Sequence, residues 1–271
     1  MSKEKKDIKG THLMSVGTSI LTNFQRLKGW DEKKGLPSKD ELIKFVLEDP
    51  QRASAELNSL WEFLEKGEVG KVYLILTDTD ECGLTGGVIR EYLKRRGVVV
   101  EEKKIPGYYP KTGKRSWDEK EAENEFIEGL IKLRNALVDY IRNHREEDIY
   151  LNATGGFKPE VMVLTLVGSF YNLPVYYRHE HFKRVVYLPP VPLPYTDKEL
   201  VRLLVGLNEK ADKRLTKKEL EGLKFKEEVV KEALGNGLVE EKRADGGERR
   251  ELSLTGTGKF YAEVLKDLGE K

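Results

Sequence analysis

Asn152-Ala153-Thr154-Gly155-Gly156-Phe157-Lys158-Pro159 lies between an apolar strand candidate, residues 149–151, and a nearly all-apolar segment, residues 160–170. A short polar run in that setting reads as the handover from a β-strand to an α-helix. Two consecutive glycines let backbone N–H groups turn toward one point, Pro159 suits a first helical turn, and a helix N-terminus carries partial positive charge. Lys158 adds a full charge. The junction therefore suits an anion, although the same residues read alone also describe a tight turn whose Asn and Thr cap a helix.

The chain around this stretch repeats the pattern. Residues 11–16 form a strand candidate that runs into Gly17-Thr18-Ser19 and then Leu21-Thr22-Asn23. Residues 71–77 form another, followed by the polar loop Asp78-Thr79-Asp80-Glu81-Cys82-Gly83 and a helix over 85–96. Between them, Ser38 and Glu41 make a capping-box pattern ahead of an apolar helix, which resumes after Pro50 over 53–64. Residues 98–105 read as a strand. In 118–144, Phe126, Leu130, Leu133, Leu137 and Tyr140 recur at spacings of three and four, the mark of a long amphipathic helix. Two further strands, 175–178 and 184–188, are joined by a short turn.

Strands alternating with helices over 11–188 predict an α/β fold: a Rossmann-like, doubly wound and mainly parallel sheet with an antiparallel pair at its end. Ligands in such folds sit at the carboxyl ends of the strands, near the point where strand order reverses. That rule gathers Thr18, Ser19, Asn23, Asp80, Asn152, Thr154 and Lys158 into one candidate site. The long loop 106–117 carries Tyr108, Tyr109, Lys111, Lys114 and Arg115, a mixture suited to covering a nucleotide or to forming a solvated flap.

A helix over 197–207 closes a first domain, 1–207. Residues 208–271 have a different rhythm: helices at 215–220 and 226–234, strands at 238–242 and 249–254, and a closing helix. Helix, helix, β-ribbon, helix is the order of a winged-helix domain, a fold that often reads DNA. From Lys213 onward, however, fourteen basic residues are balanced by thirteen acidic ones, and Lys226 to Glu232 holds three glutamates against two lysines. That is poor equipment for neutralising phosphates. A dimerising or ligand-covering role is expected ahead of DNA binding.

Composition narrows the chemistry. The 271 residues carry a formal net charge of +1, so no global field draws the chain toward nucleic acid or membrane, and an anion must be caught locally. A single cysteine, Cys82, excludes an internal disulfide and an all-cysteine metal site. The basic N-terminus lacks an apolar signal core and no run is long enough to span a membrane, so a cytoplasmic protein is expected. The Lys- and Glu-rich balance with few methionines resembles heat-adapted proteins. Neither a dinucleotide GxGxxG nor a P-loop is present. Asp78, Asp80 and Glu81, or His179 and His181, offer possible metal ligands, but as a loop cluster and a hairpin turn they read more simply as solvated structure. What remains is a metal-independent site, with no cofactor, made of hydroxyls, backbone N–H groups and one lysine. Such a site suits a phosphodiester ligand. An RNA ligand supplies its own nucleophile, the 2′-hydroxyl, and with no strong general base in the sequence, turnover should be slow.

The pair Gly17-Thr18-Ser19-Ile20-Leu21-Thr22-Asn23 and Asn152-Ala153-Thr154-Gly155-Gly156-Phe157-Lys158-Pro159, in this order after two strands, resembles the two signature loops of CRISPR-associated Rossmann-fold (CARF) domains. The chain is most similar to the archaeal stand-alone ring nucleases of that group, which end in a winged helix. The resemblance implies a homodimer that binds cyclic tetra-adenylate across its two-fold axis. It also implies metal-independent cleavage of the ring to linear di-adenylate with a 2′,3′-cyclic phosphate, which switches off type III CRISPR signalling. By position, Ser19 would orient the attacking ribose or the scissile phosphate, and Lys158 would stabilise the transition state. Thr18, Thr22, Asn23, Asn152, Thr154, Gly155, Gly156 and Phe157 would hold phosphates and adenines, with Arg115 of the long loop closing over the ring; Gly17 and Asp80, placed at the same strand ends, are expected to bind ligand with them. The alternative is a transcription regulator that binds the messenger intact and uses its winged helix on DNA.

Overall fold

The computed structural model describes residues 9–31, 33, 35–106, 119–179, 184–188, 198–210, 214–216, 219, 222–223, 225–243 and 250–266. They fall into two compact units, Met1–Lys111 with Lys132–Pro192, and Thr112–Ile131 with Leu193–Lys271.

The first unit runs β1 (Gly10–Val16), α1 (Ser19–Lys28), α2 (Lys39–Glu48), α3 (Pro50–Ala53), α4 (Ala55–Glu65), β2 (Val69–Thr77), α5 (Asp80–Arg95) and β3 (Val99–Ile105). It continues with α6 (Glu119–Asn143), whose first turns count with the second unit, then β4 (Ile149–Asn152), α7 (Lys158–Tyr171), β5 (Val175–Arg178) and β6 (Val185–Tyr187). The six strands form one sheet in the order β3-β2-β1-β4-β5-β6, all parallel except the terminal β5–β6 pair. This is the doubly wound, mainly parallel architecture expected from the sequence.

Its logic is visible in β1, which is buried at every position, as a central strand covered on both faces must be. On one face Met14, Val16, Val72, Leu74 and Leu76 pack with Ile20 and Phe24 of α1, Leu42 and Phe45 of α2, Leu57 and Leu60 of α4, and Val88 and Ile89 of α5. On the other, the ring of Tyr73 packs against that of Tyr140 of α6, their centroids 4.2 Å apart and their planes tilted by 35°. There α7 approaches so closely that a side chain at Gly168 would strike Val175 and Leu151.

The sequence pattern reads Gly17 to Asn23 as a loop and starts the helix after β2 at residue 85; the structure has helix at both places. α1 starts at Ser19, so Thr22 and Asn23 lie in its opening turns, because Ile20 and Phe24, four apart, share the buried face. α5 starts at Asp80: Thr79 Oγ1 accepts from the Cys82 amide at 3.2 Å as an N-cap, and Asp80 and Glu81 suit the positive end of the helix. The expected polar loop shrinks to two residues.

The second unit contains α8 (Lys198–Glu209), β7 (Arg214–Thr216), α9 (Glu227–Gly235), β8 (Val239–Arg243), β9 (Arg250–Leu254) and α10 (Gly256–Lys266). The antiparallel sheet is ordered β7-β9-β8. Leu200, Leu203, Leu204 and Leu207 of α8 pack with Leu215, Val229, Ala233, Leu252 and Leu265. The division into units thus falls before α8, not at 207/208, because the leucine stripe of α8 belongs to this second core. Leu215, expected to open a helix, instead pairs with Leu252 in the sheet. Among the described residues, no helix is long and apolar enough to cross a membrane.

Candidate functional site

β1 and β4 are parallel neighbours, with Met14 beside Asn152. From β1 the chain proceeds to β2 and β3 on one side of the sheet and later to β4 and β5 on the other, so strand order reverses between them. Each strand feeds a helix through a glycine-containing loop. Ser19 is the first residue of α1 and Lys158 the first of α7. The two loops abut: a Cβ at Gly17 would lie 3.3 Å from the Gly156 nitrogen. Two helix N-termini, a serine hydroxyl and an exposed lysine are therefore brought to one place at the carboxyl ends of the two central strands.

A buried carboxylate ties the first loop down. Glu56, the second residue of α4, is 1% exposed. Its Oε1 accepts from the Gly17 amide at 2.9 Å, and its Oε2 accepts from the Ser19 hydroxyl at 2.6 Å and the Ser54 hydroxyl at 2.7 Å. Ser19 Oγ in turn accepts from the Ala55 amide at 3.1 Å. Ser54 also caps α4, receiving the Leu57 amide. The same helix reaches the second loop: a Cβ at Gly155 would lie 2.8 Å from Glu56 Oε1, and Asn152 Nδ2 donates to Ser59 Oγ at 2.7 Å.

A second buried carboxylate closes on the second loop from α7. Glu160 accepts from the Phe157 amide at 2.9 Å and from Thr77 at 3.3 Å. Burial pushes its pKa up to about 7, against the pull of the hydrogen bonds from Phe157 and Thr77. Gly156, at φ +89°, passes over it; a Cβ there would strike Glu160 Oε2 and Ser15 Oγ. Ser15 donates to the Gly155 carbonyl at 2.8 Å. The loop is thus seated between two carboxylates.

The residues singled out from the sequence divide into those at the mouth and those that brace it. Gly17, Thr18, Ser19, Thr154, Gly156, Phe157 and Lys158 retain exposure; Thr18 is the N-cap of α1 and its side chain makes no capping bond. Gly155 is buried. Asn152 is fully buried, its Oδ1 accepting from the Thr154 amide at 3.1 Å, so it shapes the turn from beneath. Thr154 Oγ1 accepts from the Arg178 amide. Asn23 donates to the Ala53 carbonyl and accepts from Arg26, which turns its amide toward α3, and the Thr22 hydroxyl donates to the Thr18 carbonyl. α5 reaches the first loop through Thr85, which donates to the Gly17 carbonyl, and Cys82, which donates to the Val16 carbonyl; among the described hydrogen bonds none joins Asp80 to either loop. Arg115 and His181 lie outside the described residues. Among the described residues no group of three His, Cys, Asp or Glu is placed to hold a metal ion. Sequence reasoning missed Glu56 and Glu160. Glu160 carried a signal, a lone carboxylate opening an apolar helix. Glu56 carried none, because its contacts to Gly17 and Ser19 span 39 and 37 residues.

Residues 51–191 match the model of a family described as CRISPR-associated protein (Cas_APE2256), 141 of the 271 residues and so more than half the chain. The chain belongs to this family. The Cas_APE2256 match includes Glu56 and the loop around Gly155 but not Gly17 to Asn23. Among solved structures, the chain is similar to Enterococcus italicus Csm6 bound to cyclic hexa-2′-fluoro-hexa-dAMP, at 13% identity and a TM-score of 0.41, over 75% of this chain and 46% of that one. It is also similar to Can2 from Sulfobacillus thermosulfidooxidans in complex with cyclic tetra-adenylate, at 13% identity and 0.36, over 96% and 65%. Protein VC1899 from Vibrio cholerae matches at 11% and 0.36, over 95% and 66%. The Cas_APE2256 chain therefore spans less than two thirds of the length of each of these proteins.

Proposed function

We propose that this chain is a metal-independent ring nuclease. It binds cyclic tetra-adenylate across a homodimer and cleaves it to linear di-adenylate ending in a 2′,3′-cyclic phosphate, which ends the signal in type III CRISPR defence. The observation that carries this proposal is the abutment of the two glycine loops at the reversal of strand order, with Ser19 and Lys158 each opening a helix. Membership of a CRISPR-associated family supports the biological setting.

The chemistry asks little of the protein. The ring's own 2′-hydroxyl attacks the adjacent phosphorus, so the site must hold the linkage in line and meet the charge that develops on the phosphate. Backbone N–H groups of the two loops and the helix N-termini hold phosphate oxygens. Lys158 meets the added charge. Phe157, 45% exposed beside them, offers a face on which an adenine can stack. We read the second unit as a winged helix that dimerises or covers ligand. Glu227 and Glu228 in the first turn of α9 disfavour phosphate contact there, which speaks against the regulator alternative.

Incubating the purified protein with cyclic tetra-adenylate in EDTA and separating the products tests the proposal. Linear di-adenylate is expected, and Lys158→Ala should slow its formation about 100- to 1,000-fold while retaining ring binding. A ring left intact after hours at elevated temperature would sink the nuclease and favour the regulator.

A further inference from the structure

Ser19 can meet a ligand in only one way. A serine hydroxyl has one proton and two lone pairs. The proton is committed to Glu56 Oε2 at 2.6 Å, and one lone pair receives the Ala55 amide at 3.1 Å. A single acceptor position remains. A phosphate oxygen, itself an acceptor, gains nothing from it, whereas a ribose 2′-hydroxyl can donate to it. We propose, resting on the ring-nuclease reading, that Glu56 is the positioning residue of the reaction: it holds Ser19 as an acceptor for the attacking 2′-hydroxyl and takes the proton that Ser19 passes on.

Glu56 is built for that place. At 1% exposure it cannot touch a ligand itself. Its two oxygens are held separately, Oε1 by the Gly17 amide and Oε2 by the Ser19 and Ser54 hydroxyls, so the oxygen behind Ser19 has a fixed direction. As the 2′-oxygen bonds to phosphorus, its proton moves to Ser19 Oγ while Ser19's own proton moves to Glu56 Oε2. The bond from phosphorus to the 5′-oxygen breaks, and that oxygen takes a proton from water. Glu56 then returns its proton to solvent back through Ser19. One proton leaves the 2′-oxygen and one arrives at the 5′-oxygen, so the ring opens without net uptake of water.

A carboxylate beneath an anion site also opposes ligand binding. Removing its charge should therefore slow the chemistry without weakening the complex, the reverse of what a loosened loop would do. The test compares full-length wild type, Glu56→Gln, Ser19→Ala and the double variant in single-turnover cleavage of cyclic tetra-adenylate, with ring affinity measured separately. Glu56→Gln is expected to lose about 100-fold in rate, and the double variant to be no slower than Ser19→Ala. Ring affinity of Glu56→Gln should equal or exceed that of wild type. An unchanged rate, or a loss that tracks weakened binding, overturns the assignment. Should Glu56→Gln fail to fold, wild type carries the test: rates across H2O–D2O mixtures should fall along a curve, as two protons in flight require, and a straight line overturns the relay. A wild type that leaves the ring intact brings down the nuclease reading and Glu56 with it. A wild type that cuts while Glu56→Gln cuts equally well removes the relay alone.

Discussion

Gly156 is hemmed in both by its backbone conformation and by its neighbours. Its φ of +89° is a conformation that side chains rarely adopt, and a Cβ would collide with Glu160 Oε2 and Ser15 Oγ, the latter on the central strand itself. Glu160 has a flexible end that can yield, but β1 cannot. Gly156→Ala should therefore destabilise the protein by about 1–3 kcal/mol and displace the loop enough to weaken ring binding. A urea unfolding midpoint and a ring affinity both equal to wild type would show that the loop repacks at no cost. The same residue shows what local sequence can reveal. Gly155-Gly156 and Lys158 announce themselves because the backbone turn, the helix start and the charge are all encoded within eight residues. Glu56 contributes as much to the geometry and is silent, because its partners Gly17 and Ser19 come from a different strand-helix junction.

At the scale of elements, α7 carries a pH dependence through Glu160. Its pKa is pushed up to about 7 in the folded protein by burial, so the native state holds a proton that the unfolded chain has already released. Between the ordinary carboxylate value and 7, the native state binds more protons, and rising pH costs stability. The contribution is complete below the unfolded pKa and lost as pH rises through 7. His12 has the opposite sign. Burial lowers its pKa to about 3, so falling pH erodes its contribution from the unfolded value downward. The two overlap in the wild type, and the comparison with Glu160→Gln isolates one of them. Between about pH 5 and about pH 8, wild type should lose on the order of 1–3 kcal/mol relative to Glu160→Gln, read from urea midpoints. An identical difference at both pH values would mean that Glu160 does not titrate there. The elements themselves were largely legible in the sequence, because apolar runs and three-four spacings report burial directly. The starts of α1 and α5 were not, since polar first-turn residues such as Thr22 and Asp80 look like loop. Nor was the membership of α8, whose leucine stripe fits a core on either side of it and is assigned only by packing on Leu215 and Leu252.

At the scale of the whole molecule, the abutment of Gly17 on Gly156 within one chain decides how a dimer would divide its labour. Ser19 and Lys158 open helices from these same two loops, so each protomer should own a complete cutting site in cis. A ring with four equal linkages offers one linkage to each of two such sites related by a two-fold axis. Titration calorimetry is then expected to give one ring per two chains. Mixed dimers, one protomer Ser19→Ala and its partner Lys158→Ala, separate the two ways of building the sites. If each site is complete within a chain, both are broken, and the mixed dimer should be as slow as either parent. Were Ser19 of one chain to act with Lys158 of the other, pairing the variants would restore one intact site and about half the wild-type rate, since one of two symmetric sites would work. Recovery of that kind would overturn the cis assignment and require the dimer to bring the first loop of one protomer onto the second loop of its partner.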